Sequence, residues 1–201
     1  MVNLTVHQSP VVQQGPSRNT CLAVAATGGH EFLRAGLRLS IEHLWENAKA
    51  RHGVSPRGAT MTSIRDGLVT DGQCEEASWP YGPVTPRPRP ANLGSIYQAQ
   101  QGDILPPDLD VLKRSIEDGQ ALVIGLSITD SFMTPTVTPI DIVIADPVLQ
   151  GHAVLAVGYD DAATTVRIKN SWGIGWGSGG YAEITYAYFK SRCLRMLRIS
   201  L

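Results

Sequence analysis

The sequence predicts an α+β fold with two lobes and a cleft between them, on three observations. The first half carries apolar residues at helical spacing, a proline-rich connector follows at 79–90, and the second half alternates turns with short runs rich in Val, Ile and Tyr. A chain of 201 residues with 43% hydrophobic content can bury a sizeable core, which argues against disorder.

Residues 21–38 form the first expected helix, with Leu22, Ala25, Ala26, Phe32 and Leu33 recurring on one side and Thr20 where an N-cap belongs. Gly28 and Gly29 interrupt it at a cost of about 1 kcal/mol each relative to Ala, so burial must hold the helix or it must bend there. A second helix is expected at 40–52, capped by Ser40, with Ile41, Leu44, Trp45 and Ala48 as its apolar stripe. A third runs from Thr60 to Thr70 and stops at Gly72. WPYGPVTPRPRP, at 79–90, has prolines that forbid helix and central strand alike, and reads as a stiff surface connector in preference to a polyproline ligand. Beyond it, a helix from Leu109 to Asp118 precedes the strand candidates ALVIGLSI, HAVLAVGYD, TVRIKNSW and GYAEITYAYF, at 121–128, 152–160, 165–172 and 180–189, a largely antiparallel set.

Charge and cysteine usage narrow the function classes. With 17 basic and 18 acidic side chains the formal net charge is -1, which gives no case for nucleic acid or an anionic membrane as partner. No apolar run is long enough to span a bilayer, and MVNLTVHQSP lacks the layout of a secretory signal. Cys21, Cys74 and Cys193 are widely spaced and odd in number, which fits a reducing, cytoplasmic site of action, although a Cys74–Cys193 bridge stays open at this level.

Chemistry enters with Cys21. A thiolate nucleophile needs a base, a group that orients the base, and donors for the developing oxyanion. Cys21 opens a helix, whose unpaired N–H groups favour thiolate. His152 begins a strand and supplies an imidazole. Asn170 ends another strand, and its side-chain oxygen can accept from the second ring nitrogen and fix the tautomer. The two partners follow Cys21 within the roughly 130 to 150 residues expected between such a nucleophile and its partners.

These segments resemble those of the papain-like cysteine peptidases. NSWGIGWGSGGYAEI, at 170–184, looks like the family's asparagine-serine-tryptophan-glycine segment, GHAVLAVGYDD like its histidine strand, and QQGPSRNTCLAVA like its glutamine-to-cysteine segment. LSIEHL at 39–44 looks like the family's second-helix entry and EEASWPY at 75–81 like its acidic corner. The resemblance implies a papain-like fold in one domain over 1–201, with a helical lobe at about 15–95 and a β-rich lobe from about 1–14 and 96–201. It implies Cys21 as nucleophile, His152 as base, Asn170 as its orienting partner and Trp172 as the shield of that hydrogen bond. It sets Gly58 and Ala59 against the pair that holds the substrate main chain, and Met61 with Thr60 against the specificity pocket. Gly151 is a further substrate-binding position, and Glu31 a buried glutamate on the nucleophile helix.

Where the family reads CGSCW, this chain reads RNTCL, so the usual partner cysteine is gone and Leu22 replaces a tryptophan. One extra residue separates glutamine from cysteine, so Gln13 or Gln14 supplies the side-chain oxyanion donor; Gln14, directly before Gly15, is preferred, with the Cys21 N–H as the second donor. The loop from Thr134 to Gln150 approaches the same region without a match. Cys74 and Cys193 read as core thiols, His43 and His52 as helix-surface residues, and His30 as a neighbour of the glycine pair. His7 falls in no constellation. GWGSGG at 175–180 reads as a turn with positive-φ glycines, not a dinucleotide loop. Asp160 and Asp161 read as turn formers without the further ligands a metal needs, and Arg65-Asp66 and Glu75-Glu76 as solvated surface.

The expected activity is hydrolysis of peptide bonds by a cysteine endopeptidase, with no cofactor or metal. Glutamine deamidation or acyl transfer on a protein target, and an inactive peptidase-like binding module, are the alternatives. Only twenty residues precede Cys21, which suggests a mature fragment, or an effector or toxin domain restrained by an inhibitory, immunity or delivery protein.

Overall fold

A computed structural model describes residues 1–53, 58–135 and 138–201. Residues 136–137 of the 134–150 loop, and the side chain of His7, lie outside the described residues.

Three helices come first: α1 (Cys21–Leu33), α2 (Ile41–His52) and α3 (Met61–Asp66), the last running into a wider π turn over Gly67–Asp71 that ends at Gly72. An antiparallel sheet follows in the order β4 (Gln101–Leu105), β9 (Cys193–Ser200), β5 (Leu122–Thr129), β6 (Val148–Asp160), β7 (Thr165–Lys169), β8 (Tyr181–Thr185). The N-terminal β1 (Val2–Asn3) pairs with Gly158 and Tyr159 of β6, past the point where β5 leaves it. A small ribbon of β2 (Gln73–Cys74) and β3 (Ile96–Tyr97) closes the first half.

Both faces of the sheet are covered, which is why its central strands are almost continuously apolar. Leu122, Ile124, Leu126 and Ile128 of β5 share a core with α4 (Leu109–Glu117), α5 (Asp130–Met133) and α6 (Tyr186–Arg192). Val123, with Leu155, Val157, Leu197 and Ile199, packs instead against α1, α2 and α3. Gly28 and Gly29 are buried where α1 crosses β6, and a Cβ at Gly28 would stand 3.3 Å from Leu155 Cδ2, so close helix–sheet approach offsets their cost. The result is the expected α+β, two-lobed architecture, α1–α3 forming the helical lobe, with a cleft between the lobes.

Several boundaries differ from the sequence expectation. The first helix stops at Leu33, not 38, because Arg34, Ala35 (φ 54) and Gly36 (φ 82) form a Schellman cap in which the N–H of Gly36 donates to Glu31 O and that of Ala35 to Phe32 O. Thr20 holds the N-cap position without a capping side-chain bond, since its hydroxyl pairs with the Tyr81 hydroxyl. Ser40 does cap α2. The strand expected at 180–189 ends at Thr185, whose hydroxyl caps α6 by accepting from Tyr188 N; burial of Tyr188 and Phe189 in a helix outweighs their strand propensity. The strand expected at 165–172 ends at Lys169, and β4 and β9 were not expected at all.

The connector at 79–90 lacks regular structure, yet its start is not mere surface: Trp79 is buried and Tyr81 and Gly82 bind the segment before α1. His43 is not on a helix surface but buried, its Nδ1 accepting from Cys74 N. Glu75 and Glu76 are half-buried, Glu75 accepting from the Tyr97 hydroxyl and Glu76 from Tyr81 N. Arg65 and Asp66 are likewise half-buried and paired with each other.

Candidate active site

A cleft of about 910 Å³ lies between the lobes. Cys21 and Leu22 reach it from the start of α1, Ala59 and Met61 from the approach to α3, and Gly151 and His152 from β6; Gln14 and Trp172 complete this end. Gly58 (φ 102) is buried one residue behind this lining, where a Cβ would sit 2.8 Å from Asn19 O; only glycine tolerates both that conformation and that contact.

Strand register brings His152 and Asn170 together. Leu155 of β6 pairs with Lys169 of β7, so Asn170 leaves its strand beside the stretch of β6 that carries His152. His152 Nε2 and Asn170 Oδ1 are 2.7 Å apart, and both residues are buried. Because an amide oxygen only accepts, Nε2 carries the hydrogen and Nδ1 of the neutral ring keeps its lone pair. The same oxygen accepts from Ser171 N at 2.8 Å, which fixes the amide plane. The Trp172 ring stacks on the imidazole at 4.4 Å between centroids, and Phe132 packs edge-on against both rings.

Electrostatics at this pair are dominated by burial. Burial lowers the His152 pKa to about 4, with the Asn170 hydrogen bond opposing it, so the resting imidazole is neutral at pH 7. Cys21 opens partly to the cleft, yet burial pushes its thiol up; the N–H groups of Ala153, Leu22 and Cys21 itself pull the other way without prevailing. The helix start therefore does not by itself yield a resting thiolate. Proton transfer from sulfur to imidazole creates two opposite charges together, and their attraction offsets the cost each would meet alone.

Gln14 and Gln13 separate cleanly. The Gln14 amide is held at both ends: Oε1 accepts from Ser171 Oγ at 2.6 Å and Nε2 donates to Arg18 O at 3.2 Å, which leaves one N–H on the cleft side. Gln13 is exposed, pairs with Trp172 across an isolated bridge, and lies against Gly173 outside the cleft lining.

A profile of the papain family cysteine proteases matches residues 10–196. The chain belongs to that family. It is 31% identical over 144 residues to an uncharacterized peptidase-like protein of Acanthamoeba polyphaga mimivirus, covering 62% of this chain and 46% of that one. It is 27% identical over 196 residues to the thiol protease aleurain of Arabidopsis thaliana, covering 88% and 52%. Among solved structures, xylellain, a cysteine protease from Xylella fastidiosa, superposes with a TM-score of 0.81 at 26% identity, over 99% of this chain and 85% of that one. The chain thus spans about half the length of these curated relatives.

Against the family's pattern, the three cysteines are free, so the Cys74–Cys193 bridge does not form. The segment before Cys21 is tied down instead by Arg18, which sequence reading passed over, as it did Ser171 and Phe132. Arg18 stands alone among turn residues, and its carboxylate partner, Glu42, is far along the chain, so nothing local signalled it. Glu31 is buried as expected and accepts from Arg38 Nε and Leu39 N. GWGSGG is a turn with Gly177, Gly179 and Gly180 at positive φ, and Asp160 accepts from Ala162 N as a turn former. Among the described residues no group of His, Cys, Asp and Glu could hold a metal, and no helix is long and apolar enough to cross a membrane.

Proposed function

We propose that this chain is a cysteine endopeptidase acting through Cys21, His152 and Asn170. The observation that carries the reading is the buried His152–Asn170 hydrogen bond of 2.7 Å, stacked under Trp172, in the cleft that Cys21 lines. Family membership supports the same reaction class.

In this reading the Cys21 proton passes to His152 Nδ1 as the thiolate attacks the scissile carbonyl and the C–S bond forms. Gln14 Nε2 and the Cys21 N–H receive the oxyanion; such a donor is typically worth about 3 kcal/mol. His152 then protonates the leaving amine as the C–N bond breaks. Water, deprotonated by the same Nδ1, hydrolyses the thioester. Asn170 keeps the hydrogen on Nε2 so that Nδ1 stays the base, Trp172 keeps their bond dry, and Ala59, Met61 and Gly151 contact the peptide. Action in a reducing compartment belongs to the same proposal, supported by the free thiols. A restraining partner protein would have to cover this cleft.

A peptide library incubated with wild type and with Cys21→Ala tests it. The expected result is new N-termini with wild type alone; ammonia release without cleavage would instead identify a deamidase.

A further inference from the structure

Part of the cleft lining comes from the sheet itself. Gly125 stands in the middle of β5, flanked by Leu122, Val123, Ile124 and Leu126, where glycine weakens a strand unless something must approach its backbone. The space its missing side chain leaves is shallow and bounded: a Cβ there would meet Met61 Cε at 3.1 Å. Ile104 of β4 and Leu194 of β9 continue the apolar wall.

Arg195, the cross-strand partner of Gly125, lines the cleft as well. It is exposed, and among the described residues it forms no ion pair; its guanidinium reaches only the carbonyl of Leu194, at 3.4 Å. Among the described residues no carboxylate lines the cleft, and Arg195 is the one permanently charged side chain that does. An apolar wall ending in an uncompensated cation suits a side chain with a short apolar stem and a terminal carboxylate.

We propose that Arg195 and Gly125 form a subsite for an acidic substrate side chain, so that the cleft selects peptides carrying Glu or Asp within three residues of the scissile bond. This rests on the peptidase reading above. An ion pair at a part-exposed rim should raise kcat/KM for the acidic peptide about fivefold over its Gln or Asn counterpart, less at high salt.

The test measures the acidic-to-neutral kcat/KM ratio for matched peptides with wild type, Arg195→Glu and Arg195→Gln, and the affinity of the same peptides for Cys21→Ala. The expected ratio is about five for wild type, near one for Arg195→Gln and below one for Arg195→Glu, with the acidic peptide binding Cys21→Ala more tightly. A wild type that cleaves without acidic preference, or a preference that survives in Arg195→Glu, overturns the subsite. A wild type that cleaves nothing, while Cys21→Ala still favours the acidic peptide, overturns the peptidase reading alone.

Discussion

Arg18 and Glu42 meet as a buried two-pronged ion pair, Nη1 and Nη2 each 2.8 Å from a carboxylate oxygen. Arg18 Nη1 also donates to Gly82 O, Gly82 N donates to Glu42 at 3.1 Å, and the guanidinium lies 5.2 Å over the Tyr81 ring. The carbonyl of Arg18 accepts from Gln14, and Cys21 follows three residues on. This clamp ties the proposed nucleophile and oxyanion donor to α2 without a disulfide.

Breaking one side of that pair leaves a buried charge, so Arg18→Met or Glu42→Leu should each cost about 3 kcal/mol of stability in urea unfolding. The combined Arg18→Met, Glu42→Leu variant should recover much of that, because no ion is then stranded. Additive losses in the double variant would show that the two do not act as a pair.

Acid should destabilise the fold through buried neutral histidines. His30 is locked between Gln73 Oε1 and Arg34 Nε, and burial lowers its pKa to about 4, as it does that of His152. Both folded values lie below the unfolded 6.5, so the unfolded chain binds more protons between them. Stability therefore falls as pH drops from 6.5 towards 4, by about 3 kcal/mol per histidine. Unfolding midpoints at pH 4.5 and 7 should differ less in His30→Gln than in wild type; an unchanged difference contradicts this.

Trp172→Ala should admit water to the His152–Asn170 bond. Since burial is the largest cause of the low His152 pKa, the value should climb towards 6.5 in an NMR titration while kcat drops at least tenfold. A lower kcat at unchanged pKa would mean that Trp172 acts otherwise than as a shield.

Gly15 leaves no room for a side chain, because a Cβ would fall 1.6 Å from Pro83 O. Gly15→Ala should displace the turn that carries Gln14, and should lower kcat by about the same factor as Gln14→Ala, on the order of a hundredfold. Nearly normal turnover in either variant would remove Gln14 from the oxyanion site.

The candidate site was legible where chemistry and local chain direction coincide. His152 sits in a strand and Asn170 just past the end of one, both with strong Val and Ile signals, and Cys21 opens a helix, so their segments could be read directly. What escaped depended on tertiary partners. Tyr186–Arg192 has strand-like composition yet becomes a helix through the Thr185 cap and its buried aromatic pair. His43 looked exposed on α2 until Cys74 N supplied its buried partner. Resting ionisation also escaped, because burial of the thiol outweighs the helix start.

The central claim is that Cys21 is the nucleophile, and thiol-directed epoxysuccinyl labelling read by peptide mass spectrometry tests it most directly. Cys74 and Cys193 are buried and lie outside the cleft lining, so neither should compete. The expected result is one adduct, on Cys21, formed in step with loss of peptidase activity and suppressed in His152→Ala. An unmodified Cys21 that a small alkylating agent still reaches in the folded protein would contradict the account.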